Sequence, residues 1–342
     1  MEQHRGDENA FFKVLSSTDL WVEIKKHMFP EKKSSSEANY KNGNMAVYHG
    51  YMSILNARSE ELTFTKTACD YAAMNGNFEV LDWLKDEKNI ACTKRSVCLA
   101  AGRGHLDLVK QLYKDESLRS GSVMDFAASG GHLDIVIWLH ENSTNGCTLA
   151  AIDHASLFGH IHVIRWLHEN RNEGCTYKAV DNAASAGHLE VVKYLQDTVR
   201  ADWSQVAMEL ASANGHLEVV KFLYRCGTTS CYTGKSMGRA AINGHLDVVK
   251  WLHENMKTEC PNGTLDIIAG LGNLETIKWF HENRKEKITS KAIENAAKKG
   301  HLEVIIWLYY NFEVLITEKS MQNAVDSGHW NVVAWMEEHL VP

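Results

Sequence analysis

Residues 187–195 read GHLEVVKYL, and nearly the same nine residues return at 131–139 (GHLDIVIWL), 215–223 (GHLEVVKFL) and 244–252 (GHLDVVKWL). With its first residue as landmark, the series runs Gly76, Gly104, Gly131, Gly159, Gly187, Gly215, Gly244, Gly272, Gly300 and Gly328. Successive landmarks are 27–29 residues apart. A tandem period in this range marks a chain that grows by stacking small units, none of which can bury its apolar face alone. After each glycine, apolar residues fall at offsets +2, +4, +5, +7 and +8, as in Leu217, Val219, Val220, Phe222 and Leu223. That spacing is the stripe of a helix, not the alternation of a strand. Offset +3 is acidic in eight units (Glu79, Asp107, Asp134, Glu190, Glu218, Asp247, Glu275, Glu303), which suits the positive end of a helix dipole.

A second helix precedes each glycine. Eleven residues upstream stands Thr65, Thr93, Ser120, Thr148, Thr176, Ser204, Thr233, Thr289 or Thr317, with Pro261 in the remaining unit. These read as N-caps, whose hydroxyls accept from unpaired backbone amides. The residue before the cap (Cys92, Cys147, Cys175, Trp203) and the one four after it (Val97, Ile152, Val180, Met208) are apolar, the pattern of a hydrophobic staple. The glycine itself falls just past the helix, where a left-handed residue is wanted. The fold class read from this pattern is all-α, about ten 28-residue helix-turn-helix repeats over 65–342. Residues 1–64 form an N-terminal helical cap with a possible degenerate repeat around Gly50.

Composition fits that reading and excludes several classes. Of 342 residues only Pro30, Pro261 and Pro342 are proline, which favours long helical content. A net charge of −7 argues against a nucleic-acid partner. No apolar run is long enough for a membrane span, and the first residues lack the basic and apolar regions of a secretory signal. Eight cysteines without a CxxC pair suggest a reducing compartment, cytoplasmic with the nucleus as alternative.

Ala183-Ala184-Ser185-Ala186-Gly187-His188-Leu189 and Ala296-Ala297-Lys298-Lys299-Gly300-His301-Leu302 resemble the central AAxxGH segment of the ankyrin repeat. The resemblance covers 65–342, and its spelling is closest to the divergent ankyrin families of protists and giant viruses. It implies an ankyrin-like solenoid that binds a protein partner on its concave face, without catalysis or cofactor. Two departures stand out. The TPLH tetrapeptide is replaced, for example by Lys178-Ala179-Val180-Asp181, and the period is about five residues short of the usual ~33. The hairpins joining repeats are therefore expected to be trimmed to short loops.

Candidate chemistry is weighed against its structural alternative. Eight histidines follow the landmark glycine and four sit in His-Glu-Asn triplets at 140, 168, 253 and 281. One imidazole per repeat does not converge on a metal, so the rings are expected to bond to loop backbone. The aromatic row at +7 (Trp83, Trp138, Trp166, Tyr194, Phe222, Trp251, Trp279, Trp307, Trp335) is expected to pack between repeats, each indole N–H finding an acceptor. Six residues before the glycine, seven units are acidic: Asp70, Asp125, Asp153, Asp181, Glu209, Asp266 and Glu294. The row is either a stripe for a basic peptide or a device within each unit, bonding turn backbone or a lysine three residues earlier. A feature present in most units serves the unit, which favours the second. No GxSxG, P-loop or dinucleotide fingerprint occurs in a fitting context.

Specificity is expected where repeats differ, at offsets −5, −2 and −1. The resemblance places those offsets on the concave face, and aromatic or Arg residues in a groove are the usual anchors. Phe126, His154, Phe158 and Arg239 are the candidate partner-binding residues. For Phe126 and Phe158, packing between repeats is an equal alternative. The expected protein is a monomeric scaffold. A second reading is a ubiquitin-ligase adaptor, from a faint F-box resemblance over 15–29.

Overall fold

The computed structural model describes residues 42–50, 55, 60–227, 234–256, 259–312 and 314–339. The expected helix near Thr18 and the F-box-like stretch at 15–29 lie outside them. The described residues form α-helices and no named strand, with one isolated bridge between Asn42 and Thr63. None of these helices is long and apolar enough to cross a membrane.

The chain divides into two compact units, residues 1–92 and 93–342. The first holds α1 (Gly43–Tyr48), α2 (Lys66–Met74) and α3 (Phe78–Lys88). Here α1 lies where the sequence leaves room for a degenerate repeat. Gly50 takes the same left-handed conformation as the landmark glycines, and Gly43, where the pattern wants an apolar side chain, is filled by the Phe64 ring lying against it.

The second unit begins with α4 (Lys94–Gly102), α5 (Leu106–Leu112), α6 (Ser122–Ser129) and α7 (Leu133–Asn142). It continues with α8 (Ala150–Leu157), α9 (Ile161–Asn170), α10 (Lys178–Ala186), α11 (Leu189–Tyr194), α12 (Gln205–Ala213) and α13 (Leu217–Cys226). Then come α14 (Gly234–Ile242), α15 (Leu246–Asn255), α16 (Thr264–Gly270) and α17 (Leu274–Asn283). It ends with α18 (Ser290–Lys299), α19 (Leu302–Phe312), α20 (Glu318–Asp326) and α21 (Trp330–His339). Even-numbered members from α4 onward are first helices and pack side by side; each odd-numbered member folds back on the first helix before it.

The side chains predicted for the shared interior are there. Val191, Val192 and Leu195 are buried, as are Val219, Val220 and Leu223 and their counterparts at +4, +5 and +8 except Leu112, beside which Tyr113 is buried instead. The paired alanines of the first helices, such as Ala183-Ala184 and Ala296-Ala297, are wholly buried. Their small size lets neighbouring first helices approach closely. All ten landmark glycines have φ between +66° and +83°. Left-handed backbone costs an L side chain roughly 1–2 kcal/mol, so the glycine ends the first helix with little strain.

The caps mostly follow the sequence. The hydroxyls of Thr148, Thr176, Ser204 and Thr289 accept from the amide two residues on, at 3.1–3.2 Å. Thr93 and Thr317 form reciprocal boxes with Ser96 and Ser320. Ser120 departs from the pattern: its helix starts at Ser122 behind Gly121, after a short 3-10 turn at 116–118. Pro261 has neither hydroxyl nor amide hydrogen, and the helix after it is delayed to Thr264.

Candidate functional site

The acidic row is a set of clamps between repeats. Asp125 accepts from the Thr148 amide and hydroxyl, both at 2.8 Å. Asp153 does the same with Thr176 (2.9 and 2.6 Å), Asp181 with Ser204 (3.0 and 2.5 Å) and Asp266 with Thr289 (2.9 and 2.7 Å). In each case one carboxylate holds the cap residue of the next repeat, 23 positions ahead. The hydroxyl thus donates backward to the Asp and accepts from its own helix. Burial pushes the Asp125 and Asp181 carboxyls up, while the bonds from Thr148 and Ser204 pull them back. In unit one, Asn44 plays the same part, donating to the Thr65 hydroxyl at 2.8 Å and accepting from its amide at 2.9 Å.

The expected lysine partners are not used. Asp181 holds Ser204 instead of Lys178, and Glu294 pairs with Lys319 of the next repeat at 2.6 Å instead of Lys291. Asp125, Asp153, Asp181 and Asp266 are buried, which removes them from any surface for a basic peptide. Position 238, the clamp site of its repeat, is glycine, and the facing cap is Pro261, whose ring would crowd a side chain there. Clamp and cap are replaced together.

The landmark histidines cover the previous repeat's glycine. A Cβ on Gly187 would stand 2.5 Å from His216 Nδ1, and one on Gly300 would stand 2.6 Å from His329 Nδ1. The far nitrogen reaches the last turn of the previous first helix instead of loop backbone: His188 Nε2 bonds to the Leu157 carbonyl and His216 Nε2 to that of Ser185, each at 3.1 Å. Burial lowers the pKa of His132, His160 and His216, favouring the neutral ring. No cluster of metal-ligating side chains occurs among the described residues.

The aromatic row packs between repeats through ring edges. His140 meets Trp166 (5.1 Å between centroids, 85°), His253 meets Trp279 (5.3 Å, 86°), Tyr224 meets Trp251 (5.2 Å, 87°) and Tyr309 meets Trp335 (5.6 Å, 86°). Offset +9 of one repeat therefore meets +7 of the next, in the edge-to-face geometry that aromatic quadrupoles favour. The expected indole N–H bonds are not what orders this row; ring contacts are. The triplet asparagines cap their helices, Asn142, Asn170, Asn255 and Asn283 each donating to the carbonyl four residues back at 2.8–2.9 Å.

Two loop latches were not foreseen. Arg171 pairs with Glu173 and bonds His140 Nδ1 at 3.2 Å; Arg284 pairs with Glu286 and bonds His253 Nδ1 at 3.1 Å. Arg171 holds the Glu173 carboxyl well below the usual range, to about 2. The repeated Arg-x-Glu spacing was the available signal. Beside the second latch, where Pro261 delays the helix, opens a cavity of about 730 Å³ lined in part by Cys260 and Glu286. Burial pushes the Cys260 thiol up, opposite to what a thiolate nucleophile needs.

Phe126, His154 and Phe158 lie on neighbouring first helices, half-buried, and Arg239 lies three repeats further along. The Phe126 ring touches Gly102 of the preceding helix. The Phe158 ring lies 6.3 Å from that of His160. Arg239 Nε stands 3.5 Å from the buried carboxylate of Glu209. Asn182 and Asn295, in the same −5 row, donate to the Asp153 and Asp266 carbonyls of the preceding repeat at 3.0 and 2.9 Å. The row thus mixes packing with surface. More open apolar residues stand elsewhere on the first helices: Leu149, Tyr177 and Val206 at their starts, and Ile267 on α16 with Leu271 four residues on, at its C-terminal cap. An apolar residue directly after a cap was the signal for Leu149 and Tyr177.

Residues 152–233 match a family model described as ankyrin repeats in three copies, and residues 124–168 one described as ankyrin repeats in many copies. No curated protein matches the chain. The clamps, the covered glycines and the aromatic contacts of the matched stretch recur through Gly300 and beyond, outside the matched residues. Residues 124–233 are ankyrin repeats, and the same helix pairs continue on both sides of that stretch.

Proposed function

We propose that the exposed face of the first helices binds a protein partner, and that the protein acts as a non-catalytic scaffold. Ankyrin repeats are protein-interaction modules. The observation that carries this reading is where the open apolar surface lies. Of eight large apolar side chains exposed among the described residues, five (Leu149, Tyr177, Val206, Ile267 and Leu271) belong to first helices or their ends. Exposed apolar side chains gathered on one set of elements mark interaction surfaces. Phe126, His154, Phe158 and Arg239 flank that surface and would add aromatic and cationic contacts. On the described second helices the +7 aromatic side chains are half-buried in the ring contacts above, and the exposed aromatics Tyr310 and Trp330 are confined to α19 and α21 at the C-terminal end. The ligase-adaptor alternative rests on residues 15–29 alone and gains no support from the described residues.

A photo-crosslinking residue placed at Tyr177 in the native cell should give discrete protein adducts, whereas one placed at Lys221 on a second helix should not. Equal labelling from both positions would contradict the assignment of the binding face.

A further inference from the structure

The α16 region joins two properties that no other part of the described first-helix face combines. Ile267 is 47% exposed and Leu271 55% exposed. They stand four residues apart, so on a helix they share one face about 6 Å apart. Positive charge flanks them on both sides. On the following first helix, Lys298 and Lys299 are exposed and enter no ion pair among the described residues. On the preceding one is Arg239, its side chain 53% exposed.

The acidic groups nearby are engaged. Asp266 is buried under Thr289, Glu294 is bound by Lys319, and Glu209 lies beneath Arg239. The close approach of Gly270 to Asn295 draws α18 against α16. From the position equivalent to Lys299, Asn214 and Asn243 reach back to the repeat before them, at 2.7 and 2.6 Å. Lys299 therefore stands beside the level of Leu271. In a chain of net charge −7, this apolar step between cations is a local reversal of sign.

Resting on the binding face assigned above, we propose that Ile267 and Leu271 receive a bulky apolar side chain from a partner segment with carboxylates on either side of it. Adjacent packed helices are about 8–10 Å apart, and an extended chain advances ~3.3 Å per residue. A segment crossing the first helices thus places its carboxylates about three residues before and after the apolar residue. One faces Arg239 and the other faces Lys298 and Lys299.

The test is a random twelve-residue peptide display library panned on the full chain, and in parallel on a Leu271→Asp, Lys298→Glu, Lys299→Glu variant whose thermal melt is checked against the parent. Both lysines and Leu271 are exposed, so the variant should fold. The expected result is enrichment of peptides with Leu, Ile, Phe or Trp and an Asp or Glu about three residues away, binding the variant at least tenfold more weakly and weakening with added salt. Peptides that bind parent and variant equally, or that carry no acidic residue, would overturn this proposal. If those peptides also compete with crosslinking from Tyr177, the broader binding face survives its failure. A library yielding no binder overturns the proposal as well, and the crosslinking experiment then decides the face separately.

Discussion

At the landmark glycine two separate demands meet in one residue. Its left-handed φ excludes a side chain at low cost, and the histidine of the next repeat occupies the space a Cβ would take. The demands can be separated, because Gly328 has φ +73° but nothing within 4 Å of a Cβ, whereas Gly300 has φ +79° with His329 against it. Gly328→Ala should therefore cost about 1–2 kcal/mol from backbone strain alone. Gly300→Ala should cost about 2–4 kcal/mol, since overpacking adds to the strain. Equal losses in urea denaturation would show that the histidine contact carries no weight. Asp181→Ala leaves the half-buried Ser204 amide and hydroxyl without their acceptor and should cost about 1–3 kcal/mol, measured the same way.

The same histidines set a pH dependence. Burial depresses the pKa of His132, His160 and His216, so between the depressed values and the ordinary ~6.5 the unfolded chain binds more protons than the folded one. Stability is then complete above about pH 6.5 and is lost as pH falls through the folded values. Asp125 and Asp181 act in the opposite sense. Their raised values mean that their share falls as pH rises through the window just above the ordinary aspartate range. Asn273 already stands in the histidine position of its own repeat, with its side chain accepting from the Thr276 amide at 3.1 Å. His216→Asn should thus fold and flatten the melting-temperature slope between pH 7 and 5; an unchanged slope would count against the ring as its source.

Among the elements, helix identity and register were legible in the sequence because each signal is local. The apolar stripe, the cap hydroxyl and the left-handed glycine act within a dozen residues of one another. Contacts between repeats were harder to read. The Asp–Thr clamp spans 23 residues, and nothing in either residue alone says that they meet. The joint replacement of clamp and cap by Gly238 and Pro261 was the one internal clue. The His-Glu-Asn triplet likewise shows its logic only when the next helix is in place: the histidine and the next Trp meet at near right angles, the asparagine closes the helix, and the glutamate is left in solvent. Edge-to-face pairs contribute about 0.5–1.5 kcal/mol beyond burial. A double-mutant cycle on His253→Ala and Trp279→Ala should return a coupling in that range, and additive losses would refute the pairing. The candidate site was legible only in part. Ile267 and Leu271 fall in the offsets singled out for specificity, but their exposure depends on neighbours, which offsets do not show.

Across the second unit as a whole, no repeat is self-sufficient. Four first helices (α6, α8, α10 and α16) are clamped forward by a carboxylate, most landmark glycines are covered by the next histidine, and the second helices reach the next repeat through ring contacts. Stability should therefore be shared between neighbours and decay along the stack instead of residing in one core. The binding face inherits its rigidity from these contacts, since Ile267 and Leu271 ride on a helix fixed by Asp266, Thr289 and Asn295. The most direct measurement is amide hydrogen exchange on the full chain with Leu223→Ala, which removes a wholly buried side chain from α13 at a cost of ~2–5 kcal/mol. Shared stacking predicts faster exchange in α10 to α15, on both sides of the substitution. Faster exchange confined to α12 and α13 would contradict it.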